Sequence, residues 1–247
     1  MNFLDSTLQS PEENLACDEA LLDFCEERGK GGVLRFWEPR NYFVVVGYGN
    51  LVASEVNVDA CEHKPIPILR RCSGGGTVLQ GPGCLNYSLI LKIEDGGPLT
   101  TISSANRFIM ERNRAAIESQ FRTAGAQLKV AGHTDLVIEA GPGPVRKFSG
   151  NAQRRKKRFL LFHGTFLLNF NIELVENFLR TPSREPAYRV GRSHENFLTN
   201  LNLPAETVKQ AMRGVWKASD ALKEIPHDTI SLLVRDKYVT REWNFKF

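Results

Sequence analysis

The chain has 247 residues, of which 42% are hydrophobic and 24% are charged. This composition is close to the globular average, so it excludes a disordered or fibrous chain and leaves enough apolar side chains to fill a core. Lys and Arg outnumber Asp and Glu by 32 to 28, a mild excess that favours an anionic ligand or an acidic partner over sequence-specific binding of nucleic acid.

The cysteines and the apolar runs limit the class of protein further. The five cysteines form no CxxC pair and have no histidine spacing typical of a zinc site. The N-terminus lacks the basic and apolar regions of a leader peptide, and no apolar run approaches the roughly 18 residues that a membrane helix needs. We therefore expect one domain, residues 1–247, that is cytoplasmic, has reduced thiols and has no membrane or nucleic-acid partner.

The N-terminal part predicts one helix followed by strands. Ser10, Pro11 and Glu13 form a helix start with a capping box, and Gly29 follows the last helical residue, so we expect a helix over Pro11–Arg28. Enrichment in β-branched and aromatic residues predicts strands over residues 33–37, 42–46, 66–71 and 85–93.

The rest of the chain predicts a second group of helices and strands. A helix is expected over residues 103–123, with Gly125 as its C-cap. Strands are predicted over residues 128–130, 135–139, 145–149 and 159–169, and helices over 174–179, 204–222 and 229–238. Strands in the middle with helices in separate blocks predict an α+β fold with a mixed, largely antiparallel sheet flanked by helices.

The strongest local signal is the glycine loop, residues 70–77, which reads RRCSGGGT. Its three glycines allow a close approach of the main chain to a ligand, and Arg70 and Arg71 supply positive charge for a carboxylate or phosphate. The loop has neither the Walker A pattern nor the dinucleotide-binding spacing. The alternative is a glycine-rich turn with solvated arginines.

A second group of polar residues lies later in the chain. Lys147 lies on a predicted strand and is followed by Ser149, Gly150 and Asn151, an arrangement that suits a charge placed opposite a substrate carboxylate. The alternative is a surface hairpin. His163 follows an apolar run and is equally compatible with a hydrogen-bonded core histidine.

Four ordered strings, RRCSGGGTVLQGPGCLNYS, GHTDLVI, RKFSGNAQRR and HGTFLLNF, together resemble the lipoate-protein ligase A family of the biotin/lipoate ligase superfamily. The resemblance implies a catalytic domain that binds lipoate and ATP with Mg²⁺, forms lipoyl-AMP and transfers the lipoyl group to a lysine of a lipoyl-domain acceptor protein. A carboxylate attacking a phosphate needs its charge cancelled, and a fixed lysine and main-chain donors meet that need.

The resemblance also implies roles for single residues. Lys147 and Asp135 would be catalytic, with Asp135 near the attacking lysine or a Mg²⁺ ion. The substrate and adenylate would be bound by Arg70, Arg71, Ser73, Gly74, Gly75, Gly76, Thr77, Val78, Ser149, Gly150, Ala152, His163, Gly164 and Thr165. This hypothesis requires the Lys147 strand and the glycine loop to face one cleft.

Two further segments have both a functional and a neutral interpretation. The strap, residues 184–194, falls where the family has an adenylate-covering loop, and the alternative is a solvated connector. The basic run, residues 154–158, predicts the exposed tip of a hairpin between the Lys147 and His163 strands. It is interpreted as a docking surface for an acidic lipoyl domain, with solvated charge or an RNA-binding or nuclear-import signal as alternatives.

The chain departs from the family pattern at two places. Gln80 stands where many of these ligases have a histidine, and the chain stops at Phe247, so a separate small accessory protein is one expectation. The alternative function is an octanoyl or lipoyl transferase that moves the acyl group between carrier proteins without ATP, through a cysteine thioester. Residues 132–146, where such transferases carry that cysteine, contain none. A non-catalytic binding module is the third possibility.

Overall fold

A computed structural model describes residues 1–29, 31–182 and 184–247. The strands are β1 (Asn2–Asp5), β2 (Val33–Trp37), β3 (Phe43–Val46), β4 (Ile68–Arg70), β5 (Val78–Gln80), β6 (Cys84–Lys92), β7 (Ala126–Ala131), β8 (Asp135–Ala140), β9 (Arg146–Arg155), β10 (Phe159–Leu167) and β11 (Asp220–Ala221). The helices are α1 (Pro11–Arg28), α2 (Val52–Glu55), α3 (Val58–His63), α4 (Ile102–Glu118), α5 (Val175–Phe178), α6 (His194–Phe197), α7 (Ala205–Trp216), α8 (His227–Leu233) and α9 (Arg241–Asn244).

The strands form two sheets. The larger has the order β11-β1-β2-β6-β10-β9-β8-β7, and the smaller has the order β4-β3-β5. The β1–β11, β1–β2 and β3–β4 pairs are parallel, and the others are antiparallel. This arrangement confirms the predicted mixed, largely antiparallel sheet flanked by helices.

The two faces of the large sheet bury different helices. Along β6, Leu85, Tyr87 and Leu89 belong to the core formed with α4 and α7, whereas Ile90 belongs to the core formed with α1. Alternate side chains of a strand point to opposite faces, so Asn86 and Ser88 share the α1 face with Ile90. None of the described helices is both long and apolar enough to cross a membrane.

Helix α1 forms as its local sequence predicts. The Ser10 hydroxyl accepts a hydrogen bond from the Glu13 main-chain N–H, the Glu13 carboxylate accepts one from the Ser10 N–H, and Gly29 ends the helix with φ +67°. These contacts satisfy main-chain groups that have no partner within the helix.

Other element bounds differ from prediction where distant contacts decide them. Helix α4 ends at Glu118 rather than near residue 123, and Gly125 is not its C-cap but precedes β7 with φ +72°. Strand β9 continues through polar residues to Arg155 because β10 pairs with it along this length. Helix α7 stops at Trp216, where Lys217 adopts a left-handed conformation.

Candidate active site

The α1 face of the sheet carries a group of side chains that we call the polar floor. The strand register places Arg35, Ser88, His163 and Ala152 in one row, and Asn86, Thr165 and Gly150 in the next row. Cross-strand partners share a face of a sheet, so these residues form one continuous surface. The polar floor consists of Arg35, Asn86, Ser88, Gly150, Ala152, His163 and Thr165.

Lys147 and Asp135 form an ion pair at one end of the polar floor. The Lys147 Nζ lies 2.8 Å from Asp135 Oδ1, and the two side chains are 23% and 13% exposed. A Cβ added to Gly150 would lie 2.5 Å from that Nζ. The ammonium group therefore lies directly above Gly150, where any other residue would place a side chain.

The glycine loop lies above the same face of β9. A Cβ added to Gly75 would lie 3.4 Å from the Cβ of Ala152. Ala152 and Gly150 share a face and are about 6.6 Å apart along the strand. The loop and the Lys147 ammonium group therefore flank one stretch of this face of the sheet, which we call the cleft.

The two loop arginines are placed differently from the expectation that they face an anion. Both are buried, and Arg71 donates to the carbonyl oxygens of Gly74 and Gly76, each at 2.6 Å. Burial lowers the pKa of Arg71 to about 10. The Arg70 guanidinium donates to the carbonyls of Gly47, Tyr48, Asn50, Trp243 and Asn244. Their donors thus hold the loop in shape instead of meeting a ligand.

Thr77 and Val78 close the loop. Asn50 donates through Nδ2 to the Gly75 carbonyl at 3.2 Å and to the Thr77 hydroxyl at 3.4 Å. Val78 begins β5 and packs, half-buried, against the α1 core. These two residues fix the end of the loop.

Ser73 and His163 meet at the other row of the polar floor. The Ser73 Oγ lies 2.6 Å from His163 Nε2, and His163 Nδ1 lies 3.1 Å from Asp18 Oδ2. Asp18 Oδ1 also accepts from Arg35 at 2.6 Å. His163 is therefore hydrogen-bonded at both ring nitrogens, and its partner Ser73 comes from the glycine loop.

Gln80 takes part in a polar network beside Thr165. Its Nε2 donates to the Thr165 hydroxyl at 2.7 Å, and its Oε1 accepts from Asn86 at 3.0 Å. Thr165 in turn donates to Asn86 Oδ1. Gln80 thus supports the floor of the cleft through Thr165 and Asn86.

Ser149 and Gly164 do not reach this cleft. The register pairs Ser149 with Phe166, whose ring belongs to the opposite core, and Ser149 is buried there. Gly164 makes room on that opposite face for the Asn151 amide, which accepts from the Tyr87 hydroxyl at 2.6 Å. Both residues therefore contribute to the packing on the opposite face of the sheet.

The strap covers the ion pair. The Tyr188 hydroxyl donates to Asp135 Oδ2 at 2.7 Å, and Arg192 donates to the Tyr188 carbonyl and to the Val145 carbonyl, each at 2.9 Å. Burial and the neighbouring Asp135 raise the pKa of Tyr188. The segment is thus attached to the catalytic candidates through Tyr188, although several of its other residues are exposed.

The basic run is largely neutralised, contrary to its interpretation as a free docking surface. Lys156 pairs with Asp23 at 2.5 Å, Arg154 donates to the Cys72 carbonyl, and Arg155 donates to the Leu99 carbonyl. The Arg158 guanidinium forms an ion pair with Glu26 of α1 at 3.9 Å. The predicted hairpin between β9 and β10 is present, but acids of α1 and main-chain oxygens occupy four of its five cations.

Neither a reactive thiol nor a magnesium site is found in the described parts of the chain. All five cysteines are buried, and burial raises the pKa of Cys72 and of Cys84 to about 12, so the nucleophilic thiolate is disfavoured. The described residues contain no group of three potential metal ligands among His, Cys, Asp and Glu. Both Asp135 oxygens are engaged, by Lys147 and Tyr188, so this site does not fit the predicted Mg²⁺.

Asp18 and Tyr188 are site residues that no sequence-based assignment named. Asp18 carried a usable signal, because it lies three residues after Leu15 and four before Leu22 on the apolar face of the predicted helix. An acid in such a position is buried and needs a partner. Tyr188 carried no such signal, since only the fold brings it to Asp135.

Residues 10–215 match the family model described as the Lipoyl protein ligase A/B catalytic domain. Octanoyltransferase LipM of Halalkalibacterium halodurans is 26% identical over 99% of this chain and 98% of its own length. Octanoyltransferase LipM of Bacillus subtilis is 28% identical over 99% of this chain and 97% of its own length.

Solved structures share the fold. The bi-partite lipoate protein ligase of Thermoplasma acidophilum, solved in work that also describes its E2 lipoyl domain, has a TM-score of 0.80 and 22% identity, covering 99% of this chain and 96% of that chain. A lipoate-protein ligase A bound with ATP has a TM-score of 0.75 and 22% identity, covering 99% of each chain.

These comparisons correct the functional hypothesis. An ATP-dependent, AMP-forming lipoate-protein ligase is the wrong assignment, because octanoyltransferases align over 99% of the chain at 26–28% identity, whereas the likeness to ligases, at 22% identity, is one of fold. The fold, the cleft and the match over residues 10–215 place the chain in the lipoyl protein ligase A/B catalytic domain family.

Proposed function

We propose that this protein is an acyltransferase that moves an octanoyl or lipoyl group from a carrier-protein thioester to a lysine of a lipoyl-domain acceptor, without ATP. The alignment with octanoyltransferases along the chain supports this reaction class. The acyl thioester is already activated, so the reaction needs no phosphate-binding device.

The observation that carries the proposal is the position of the Lys147 ammonium group. It lies above Gly150, in the cleft that the glycine loop borders. Attack on a thioester carbonyl places negative charge on its oxygen, and a fixed cation stabilises that charge in the transition state more than in the ground state. Asp135, held by Tyr188, orients the ammonium group.

The test uses purified components and the mass of the acceptor. An octanoylated acyl carrier protein and a lipoyl domain are incubated with this protein, with no nucleotide and no further protein. We expect the lipoyl domain to gain one octanoyl group, and a lipoyl domain whose target lysine is replaced by arginine to gain none. A product that forms only from free octanoate or lipoate with ATP would overturn the proposal.

Lys147→Ala should lower the transfer rate by about 10²-fold or more, as the loss of one preorganised donor to a developing oxyanion does. Lys157→Ala is the matched control, because it removes the same charge from an exposed position at the β9–β10 turn. Initial rates of the ATP-free reaction measure both variants. Equal rates for Lys147→Ala and the wild-type protein would show that Lys147 takes no part in the reaction.

A further inference from the structure

Three side chains from separate elements form a Ser-His-Asp array that the proposed function does not yet use. Ser73 comes from the glycine loop, His163 from β10 and Asp18 from α1, and the two contacts between them measure 2.6 and 3.1 Å. In hydrolases and acyltransferases, this order of groups lets the histidine remove the serine proton while the acid orients the ring.

The acid of the array is held in its ionised form. Asp18 is 3% exposed in its side chain, and its second oxygen receives Arg35 at 2.6 Å. Burial alone would raise the pKa of the Asp18 carboxyl, but Arg35 and His163 together hold that pKa below its usual range. In the tautomer that carries its proton on Nδ1, His163 donates to Asp18 Oδ2 and its Nε2 accepts from the Ser73 hydroxyl.

Main-chain donors follow the serine directly. Gly74, Gly75 and Gly76 are exposed, and within the described chain their N–H groups donate to no other residue. The N–H group of the residue after a nucleophilic serine is a common oxyanion donor in acyl transfer. Ser73 itself is 1% exposed, so the glycine loop would have to open before an acyl group could reach its hydroxyl.

The array is next to the Lys147 ion pair. His163 pairs with Ala152 across the sheet, which makes Gly150 its diagonal neighbour on the same face, at roughly 7–8 Å. Lys147 Nζ lies above Gly150. A carbonyl placed between the two groups would have the hydroxyl on one side and the cation on the other.

We propose that Ser73 is the acyl-accepting nucleophile of the transfer, an inference that rests on the proposed function. The Ser73 Oγ attacks the thioester carbonyl and its proton passes to His163. The C–S bond breaks, the thiolate takes that proton, and an octanoyl or lipoyl ester remains on Ser73. The neutral amine of the acceptor lysine then attacks the ester and gives a proton to His163, and Ser73 takes the proton back as the C–O bond breaks.

The cysteines of this region are poorer candidates for the nucleophile than Ser73. Cys72 and Cys84 lie in two core clusters, and burial raises the pKa of each thiol to about 12, so the thiolate that a thioester intermediate needs is disfavoured. The Ser73, His163 and Asp18 array can carry the acyl group covalently, because His163 accepts and returns each proton and no further reactant is needed.

The first experiment looks for the ester itself. The wild-type protein is mixed with octanoylated acyl carrier protein in the absence of acceptor, quenched with acid and digested, and the octanoyl group is located by peptide mass. We expect it on Ser73 in the wild-type protein and in the Ser231→Ala control, and not in Ser73→Ala. No acyl adduct, or an adduct on another residue, would overturn the inference.

The second experiment measures rates and keeps the inference testable if Ser73→Ala folds poorly. Ser73→Ala and His163→Ala should each lower transfer by at least about 10²-fold, and the double variant should be no slower, because the residues act as a unit. Ser73→Cys should instead form an adduct that neutral hydroxylamine cleaves, as expected of a thioester.

The two proposals fail in different ways. ATP-free transfer at an unchanged rate in Ser73→Ala would mean that the acceptor lysine attacks the thioester directly. Ser73 would then not be the nucleophile, but the protein would still be an acyltransferase. Absence of ATP-free transfer by the wild-type protein would overturn the proposed acyltransferase function. The experiment with the donor alone would then still show whether Ser73 accepts an acyl group.

Discussion

Lys147 owes its position to a neighbour without a side chain. Its Nζ occupies the space above Gly150, while Asp135 receives the charge at 2.8 Å. The sequence named Lys147, Asp135 and Gly150 through the RKFSGNAQRR and GHTDLVI strings. It could not show that the glycine provides the space for the lysine, because that relation depends on where the lysine side chain turns.

Gly150→Ala should therefore impair the reaction more than the fold. The new Cβ would meet Lys147 Nζ at 2.5 Å and Cε at 2.7 Å, so the flexible end of the lysine must move from the cleft. We expect a loss of about tenfold or more in transfer rate, since small displacements of reacting groups are costly. Gly143→Ala is the control, because a Cβ there meets nothing within 4 Å. Unchanged transfer by Gly150→Ala would contradict this account of Lys147.

His194 gives a pH dependence at the end of the strap. Burial, with help from Arg189, lowers the pKa of His194 to about 4, whereas in the unfolded chain it is about 6.5. As the pH falls between these values the unfolded chain binds the proton first, so stability is complete above the unfolded pKa and is lost on acidification.

We expect His194 to contribute a loss of about 2 kcal/mol in the free energy of unfolding between about pH 7 and pH 5. Denaturant unfolding of the wild-type protein and of His194→Gln at both pH values isolates this contribution, because the other titrating groups are common to both. Identical pH slopes for the two proteins would exclude it.

At the scale of elements, local signals were sufficient where a helix satisfies its own ends. The capping box of Ser10 and Glu13 and the left-handed Gly29 fixed α1 to the residue. Strand β9 was predicted too short because residues 150–155 are polar, and their strand conformation comes from pairing with β10. Strands β1, β5 and β11 were not predicted, since they are short and their partners lie far along the chain.

A hydrogen bond from Tyr188 to Asp135 joins the strap to the ion pair, and a single substitution can test it. Tyr188→Phe removes the hydrogen bond to Asp135 and should lower the free energy of unfolding by about 1 kcal/mol. The strap should also open more often, so trypsin should cleave it faster at Arg184, Arg189 or Arg192. Tyr42→Phe is the control, because the Tyr42 hydroxyl donates to none of the described residues. Equal cleavage rates for both variants would show that Tyr188 does not hold the strap.

At the scale of the whole molecule, the fold was predictable and the reaction was not. Four ordered strings identified the family and its mixed sheet, but ligases and octanoyltransferases share this architecture, so the fold does not choose between ATP and a thioester as the source of acyl activation. Charge was equally ambiguous. The run at residues 154–158 suggested a docking surface from sequence, yet the acids of α1 that pair with Lys156 and Arg158 lie more than a hundred residues earlier.

The source of the transferred acyl group tests the account most directly. One reaction contains acyl carrier protein that bears an unlabelled octanoyl group. It also contains isotopically heavy free octanoate, ATP, Mg²⁺ and a lipoyl-domain acceptor. The mass of the octanoyl group on the acceptor lysine then reports which donor was used. We expect the unlabelled group from the carrier thioester, at the same rate when ATP is omitted. A heavy group that disappears without ATP would contradict it.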